Sequence, residues 1–203
     1  KNAIIRLTVT RGINEPSFQI DKEVAPTLVI HARPHQPLPK AIYLKGVNIS
    51  LITMQAPVLP GVNQSLKTCN YLSNILLRKI SQMRGSMEGI IVDPILGVTE
   101  GATSNLFILK DGTLKTPATN NSVLEGITRE VVLEIAMNHK VPVSKALLIP
   151  EDIYNADEVF ITNSGIDIVP VVSVDDKPIG NKKPGILTKF LRDEFLKCIE
   201  EEL

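Results

Sequence analysis

Residues 100–107 carry the sequence Glu-Gly-Ala-Thr-Ser-Asn-Leu-Phe, and residues 124–129 carry Leu-Glu-Gly-Ile-Thr-Arg. In the second stretch, Gly126, Ile127 and Thr128 stand where a helical pattern begins that continues to about His139. A helix N-terminus offers unpaired N–H groups and a partial positive charge, so it binds phosphate well. The alternative is that Thr128 only caps the helix. This segment alone leaves both interpretations open.

Lys67 is a second candidate, in the segment Leu-Lys-Thr-Cys-Asn-Tyr at residues 66–71. Apolar residues at three- and four-residue steps predict a helix from Thr68 to about Arg84, with Lys67 at its start. The helix dipole and partial burial both disfavour the ammonium form there, which would leave a neutral amine able to attack an aldehyde. The alternative is an ordinary surface lysine.

Glu100 is a third candidate, since it precedes a Gly-Ala turn where a carboxylate could pair with a heterocyclic nitrogen and keep it protonated. The alternative is a solvated turn residue. The three segments point to a function more strongly together than singly, because their order and spacing can be compared with those of known families.

Together they resemble the signature of the class IV (fold type IV) aminotransferases, which bind pyridoxal 5'-phosphate. The similarity runs from about Ile4 to the C-terminus. Asn70 supplies the Lys-x-x-Asn setting of the lysine, and a further match to the third cofactor loop begins at Phe160. The matching segments are residues 67–70, 100–107, 114–116, 124–129 and 160–165, followed by Ile168 and Pro170.

The resemblance implies a role for each candidate residue. Lys67 would form a Schiff base with the cofactor and then act as the general acid and base. Glu100 would pair with the pyridine nitrogen, Leu124 would pack on the ring face, and Asn105 would order the loop around Glu100. The remaining cofactor contacts would come from Gly126, Ile127, Thr128, Asn163 and Ser164, and the substrate contacts from Tyr71 and Gly165; no metal site is expected.

The mixture of strands and helices predicts an α+β or mixed α/β fold, and the resemblance implies the D-amino-acid aminotransferase-like fold, mainly its large C-terminal domain. We expect residues 1–60 to form the remainder of an N-terminal region with an interdomain segment, and residues 61–203 to form the cofactor-binding domain. The predicted hairpin turn at Asp111-Gly112 and a final helix after Pro184 belong to the second part.

Composition excludes several other classes of protein. Acidic and basic residues balance at 22 each and form no long block, which argues against a nucleic-acid or membrane-surface partner. The longest apolar runs are too short to span a bilayer, and we expect no signal peptide. Two distant cysteines, Cys69 and Cys198, favour a cytoplasmic protein with reduced thiols.

Two departures from the family pattern bear on activity. Family members carry a small N-terminal domain that supplies an arginine for the cofactor phosphate, so we expect either that the chain is processed or that a segment precedes Lys1. Arg11 corresponds to a different family position. Residues 15–18 (Glu-Pro-Ser-Phe) lack the Arg-x-His arrangement by which D-amino-acid transaminases of the bacillus type bind a substrate carboxylate.

The resemblance therefore implies a homodimeric aminotransferase acting on an amino acid and a 2-oxo acid, with branched-chain or D-amino acids as substrates. Tyr71 favours a transaminase over a lyase, because aminodeoxychorismate lyases often place arginine at this position. Two alternatives stay open: a lyase that releases pyruvate and 4-aminobenzoate, and a truncated, non-catalytic remnant of the fold.

Overall fold

The computed structural model describes residues 3–14, 24–55, 66–119 and 123–201. The chain divides into two compact units, Lys1–Pro37 and Leu38–Leu203. The first is an antiparallel hairpin of β1 (Ala3–Thr10) and β2 (Thr27–Pro34), in which Leu7 lies opposite Ile30. The division of the chain near residue 60, expected from the family resemblance, stays a prediction.

The second unit contains nine strands and five helices among its described residues. In chain order they are α1 (Lys40–Lys45), β3 (Val47–Thr53), α2 (Leu72–Met83), β4 (Glu88–Asp93), β5 (Gly97–Gly101), β6 (Asn105–Lys110), β7 (Thr113–Pro117), α3 (Ile127–Asn138), β8 (Val143–Ala146), α4 (Pro150–Tyr154), β9 (Glu158–Asn163), β10 (Asp167–Val174), β11 (Lys177–Pro178) and α5 (Ile186–Glu201).

The nine strands form one mixed sheet with the strand order β5-β4-β3-β10-β9-β6-β7-β8, and β11 pairs with β10. Strand β3 is parallel to β4 and to β10, and β7 is parallel to β8, whereas the other pairs are antiparallel. The predicted α+β class is confirmed.

Apolar side chains cover both faces of this sheet, because successive residues of a strand point to opposite sides. In β6, Leu106 and Ile108 belong to one core cluster, whereas Phe107 belongs to another, formed with α3 and α5. Phe107 stacks on Phe160 of β9 with ring centroids 4.9 Å apart. The central strands are therefore almost continuously apolar, as expected for a sheet covered on both sides.

Several local predictions are confirmed. Asp111 and Gly112, with φ of 48° and 72°, form the turn of the β6–β7 hairpin. Helix α3 begins within one residue of the predicted Thr128 start. Across the described ranges, no helix is both long and apolar enough to cross a membrane.

The predicted start of α2 is wrong, because the helix begins at Leu72 rather than Thr68. Local hydrogen bonds hold the preceding residues in a turn: Asn70 N–H donates to Thr68 Oγ1 at 3.3 Å, and Tyr71 N–H donates to the Cys69 carbonyl at 3.1 Å. Such bonds compete with the helical ladder. Lys67 therefore lies in an irregular segment, and the helix dipole does not act on it as predicted.

Five short elements, α1, β5, β8, α4 and β11, had no prediction. Helix α1 starts at Lys40 directly after Pro39, where a preceding proline costs no hydrogen bond. Elements this short have too few residues to show a hydrophobic period. Contacts with neighbouring elements determine their structure instead.

Candidate active site

The end of β5 and the segment before α3 meet at the backbone of Leu124. Glu100 Oε2 accepts the Leu124 N–H at 2.9 Å, and Asn105 Nδ2 donates to the Leu124 carbonyl at 2.8 Å. Gly126 N–H donates to the same carbonyl at 2.9 Å. Both backbone polar groups of Leu124 are thus fixed, the carbonyl in part by Asn105.

Glu100 lies in a strand and is partly buried, so it is not a solvated turn residue. Burial raises its pKa from 4.5 to about 7, against the lowering effects of the Leu124 N–H and of the charges on Lys67 and Arg129. Desolvation disfavours the charged form of a carboxylate, and these partners offset only part of that cost. A protonated ring nitrogen would provide the missing positive charge.

Gly126 is the N-cap residue of α3 and has an extended backbone (φ −69°, ψ 136°), and no side chain among the described residues caps the helix. A Cβ on Gly126 would lie 2.2 Å from Asn105 Oδ1, so only glycine fits. Thr128 lies inside the first turn and is buried, whereas Ile127 is exposed. The interpretation of Thr128 as the cap is therefore wrong, and the first turn can receive an anion.

Arg129 anchors this helix start, a role that the sequence analysis missed. Its side chain is fully buried, and it donates to Thr116 Oγ1 at 3.4 Å and to the Pro117 carbonyl at 3.1 Å. It also pairs with Glu130. Arginine almost never lies fully buried without partners. Nothing in the sequence signalled this burial beyond the place of Arg129 in the stretch 124–129.

The side chain of Asn163 fixes the loop between β9 and β10. Its Oδ1 accepts the N–H groups of Gly165 at 2.7 Å and Ile166 at 3.0 Å, and its Nδ2 donates to the Thr103 carbonyl at 3.0 Å. The loop is thereby tied to the turn that follows Glu100. Ser164, in the same loop, is exposed.

Lys67 is exposed in the irregular segment before α2, and its charge acts on Glu100. Tyr71 occupies the N-cap position of α2 without a side-chain capping hydrogen bond, and Gly165 lies partly buried in the loop after Asn163. Hydrogen bonds thus link Glu100, Leu124 and Gly126, and they tie Asn163 to the turn that follows Glu100. Lys67 is linked to the site through its electrostatic effect on Glu100.

These groups fit pyridoxal 5'-phosphate on three chemical grounds. A lysine amine is available for an aldehyde, a desolvated carboxylate is available for a basic ring nitrogen, and an uncapped helix start is available for a phosphate. Within the described ranges, no group of three His, Cys, Asp or Glu residues is arranged to hold a metal ion.

The chain is similar to known proteins over nearly its whole length. The family described as amino-transferase class IV matches residues 1–174. A Methanocaldococcus jannaschii protein, provisionally named a branched-chain-amino-acid aminotransferase, is 36% identical over 195 residues, which are 96% of this chain and 67% of that protein. The D-alanine aminotransferase of Staphylococcus aureus strain N315 is 30% identical over 201 residues, 97% of this chain and 68% of that protein.

A solved structure extends this similarity to the fold. The branched-chain amino acid aminotransferase of Escherichia coli superposes with a TM-score of 0.88 at 30% identity, covering 96% of this chain. The chain spans 64% of that protein, so about a third of its length has no counterpart here. The family match and these similarities together establish that the chain belongs to the class IV aminotransferases.

Proposed function

We propose that this chain carries the cofactor-binding part of an enzyme that transfers an amino group between an amino acid and a 2-oxo acid. Glu100 is the single observation that carries the proposal. It is a carboxylate with a pKa raised by burial to about 7, held by the Leu124 N–H beside an uncapped helix start. A carboxylate in that state is suited to sharing a proton with a heterocyclic nitrogen.

The remaining residues bind and orient the cofactor. When bound, pyridoxal phosphate supplies an aldehyde and an electron-withdrawing ring. Lys67 Nζ would hold the aldehyde carbon covalently and later move a proton at the substrate Cα. Glu100 would keep the proton on the ring nitrogen, and Leu124 would pack on the ring face. The amides of Ile127 and Thr128 would bind the phosphate with the Ser164 hydroxyl, Gly126 would let the phosphate approach the backbone closely, and Asn163 would orient the loop that carries Ser164.

The substrate end of the site is proposed to include Tyr71 and Gly165. Branched-chain and D-amino acids are the substrate classes that the names of the relatives support. The stretch 15–18, where the Arg-x-His arrangement is missing, lies outside the described residues. What this stretch indicates about substrate choice therefore comes from the sequence alone.

The exposed face of α2 supports a homodimer. Leu72, Ile75, Leu76 and Met83 are each at least 50% exposed, and their spacing of three, four and seven residues places them on one side of the helix. Exposed apolar residues grouped on one face, here with Lys79 among them, are typical of an interaction surface. We propose a cytoplasmic location, consistent with Cys69 and Cys198 as free thiols; sedimentation equilibrium measures the oligomeric state.

Two alternatives differ from transamination in what can be measured. A lyase acting on aminodeoxychorismate with the same cofactor would release pyruvate and 4-aminobenzoate without any amino acceptor. A non-catalytic remnant would bind no cofactor covalently. An N-terminal domain in the complete reading frame would count against the remnant.

An absorbance spectrum with added pyridoxal phosphate tests the proposal, recorded before and after borohydride. In wild type we expect a band near the visible edge that borohydride traps on Lys67, because reduction makes the bond to Nζ permanent. The Lys67→Ala variant should lack both the band and the trapped adduct. Identical spectra of wild type and Lys67→Ala would contradict the proposal.

A further inference from the structure

Glu88 is a buried carboxylate outside every segment that the sequence analysis selected. It lies at the start of β4 with 1% of its surface exposed. Oε1 accepts the Gly89 N–H at 3.0 Å and lies 3.4 Å from Arg78 Nη1. Oε2 accepts the hydroxyls of Thr103 at 3.0 Å and Ser104 at 3.2 Å. All four groups can donate, so the site suits a carboxylate that accepts from each.

Thr103 and Ser104 belong to residues 101–104, the turn that follows Glu100 and that we name the Glu100 turn. Gly101 N–H closes this turn on the Ser104 carbonyl at 2.7 Å. A Cβ on Gly101 would lie 2.3 Å from Ser104 Oγ and 3.0 Å from Glu88 Cγ. The missing side chain at Gly101 therefore lets the turn close directly against Glu88.

Other segments of the site attach to the same turn. Asn74 of α2 donates to the Ala102 carbonyl at 2.8 Å, and Asn163 of the third loop donates to the Thr103 carbonyl at 3.0 Å. The Glu100 turn thus joins the helix that follows Lys67 to the loop that holds Ser164. A displacement of this turn would move groups on both sides of the cofactor site.

Arg78 braces Glu88 from α2. Its guanidinium pairs with Oε1 of Glu88 and also donates to the Met87 carbonyl, while 38% of its side chain is exposed. A buried carboxylate is stable when it is paired and its oxygens accept hydrogen bonds, and removal of one partner is costly. Arg78 and the two hydroxyls therefore hold Glu88 in one position.

We propose that Glu88, braced by Arg78, is a positioning residue that holds the Glu100 turn and thereby sets where the Glu100 carboxylate meets the cofactor ring. This inference rests on the proposed function of the site. Glu88 contacts neither cofactor nor substrate in it and acts only through the turn. Glu158 offers the contrast: it is a carboxylate of the same sheet whose hydrogen bonds go to Leu187 and Thr188 of α5.

Amide hydrogen exchange on the cofactor-free protein, expressed from its complete reading frame, tests the positioning directly. Glu88→Gln keeps the size of the side chain but removes the charge opposite Arg78. We expect the amides of Gly101 and Leu124 to exchange roughly three- to tenfold faster, the size of one weakened hydrogen bond. Glu158→Gln, the matched control, should accelerate exchange at Leu187 and Thr188 instead.

Faster exchange confined to Gly89, or a uniform acceleration of all amides, would overturn the proposal. Thr103→Val is the second variant, because Thr103 is exposed and its loss removes one hydroxyl donor from Glu88 without a buried charge change. It should accelerate exchange at the same amides as Glu88→Gln, and unchanged exchange there would likewise count against Glu88.

Equilibrium binding of pyridoxal phosphate and the pH dependence of its absorbance give the second readout. Glu88→Gln should weaken binding roughly three- to tenfold and shift the absorbance midpoint, since Glu100 moves relative to the ring nitrogen. Glu158→Gln should match wild type in both. Equal affinity and midpoint in Glu88→Gln and wild type would overturn the inference. A wild type that binds no cofactor would refute the proposed function, while hydrogen exchange would still decide whether Glu88 positions Glu100.

Discussion

Helices α3 and α5 both start beside the same sheet, but their first turns are treated differently. In α5, Glu158 accepts the N–H groups of Leu187 at 3.0 Å and Thr188 at 2.8 Å, and the Thr188 hydroxyl at 2.7 Å. In α3, no described side chain caps the helix start. One helix start is closed by a carboxylate of the protein, and the other is open to an external anion.

With the proposed phosphate site at α3, the same local chemistry would serve stability at one helix start and binding at the other. The unpaired N–H groups of a helix start favour negative charge, whether it comes from a side chain or from a phosphate. Both starts also use glycine for close approach: a Cβ on Gly185 would lie 1.8 Å from Glu158 Cδ, and one on Gly126 would lie 2.2 Å from Asn105 Oδ1. Substitutions at each helix start therefore test whether cofactor affinity and stability can be changed independently of each other.

Gly126→Ala should have the largest effect on cofactor binding. The added methyl group collides with Asn105 Oδ1, so either Asn105 releases the Leu124 carbonyl or the helix start moves. Displacing the amides that face the phosphate should weaken pyridoxal phosphate binding by about ten- to a hundredfold, since several hydrogen bonds to a charged group are affected together. Fluorescence titration with the cofactor measures this change.

Gly185→Ala is the matched control at α5. Its methyl group collides with Glu158 rather than with Asn105, so we expect a loss of unfolding free energy of about 1–3 kcal/mol and unchanged cofactor affinity. Urea unfolding and the same titration distinguish the two variants. If Gly185→Ala weakened cofactor binding as much as Gly126→Ala, the two helix starts would not be separable.

Glu100→Gln should change the pH dependence of stability in the cofactor-free protein. The pKa of Glu100 is raised from 4.5 to about 7, so between these values the folded protein binds more protons than the unfolded chain. Wild-type stability should therefore fall as pH rises through this window, by roughly 1–3 kcal/mol. Glutamine does not ionise, so the variant should lack this fall and be more stable than wild type at pH 8.

Urea unfolding at pH 5 and pH 8 measures the effect as a difference between the two proteins, which cancels the other titrating groups. A Glu100→Gln variant that follows the wild-type pH profile would mean that Glu100 is not desolvated. Glu158→Gln should lose stability at both pH values, because its hydrogen bonds to α5 are fully made in the wild type.

The elements with a long apolar period, and the segments that match the family signature, were predictable from sequence. Helix α3 and the β6–β7 turn are local features, since their residues set their own backbone: Asp111 and Gly112 both adopt positive φ. The start of α2 was not predicted correctly, because Thr68 and Cys69 form local hydrogen bonds that compete with the helix.

The supports of the site could not be predicted in the same way. Glu88 lies 15 residues from Thr103 and 16 from Ser104, and Glu158 lies 30 from Thr188, so only the fold brings these groups together. A buried carboxylate and a surface carboxylate look the same in a sequence. The candidate residues could be identified from the family signature. The residues that hold them in place could be identified only from their contacts in the folded sheet.

Thr128→Val should have the smallest effect, and it separates the two helix starts most cleanly. Thr128 and Thr188 are both buried in the first turns of their helices, with 4% and 1% of their surfaces exposed. Thr188 donates to Glu158, so Thr188→Val should lower the unfolding free energy by about 1 kcal/mol and leave cofactor affinity unchanged. Thr128→Val should do the reverse: cofactor binding weakens roughly threefold while stability stays within about 0.5 kcal/mol, because its hydroxyl is proposed to meet a phosphate rather than a protein carboxylate.

Calorimetric titration with pyridoxal phosphate and urea unfolding of both variants measure the two effects side by side. A stability loss in Thr128→Val equal to that in Thr188→Val, without a change in affinity, would make the start of α3 a structural feature like that of α5.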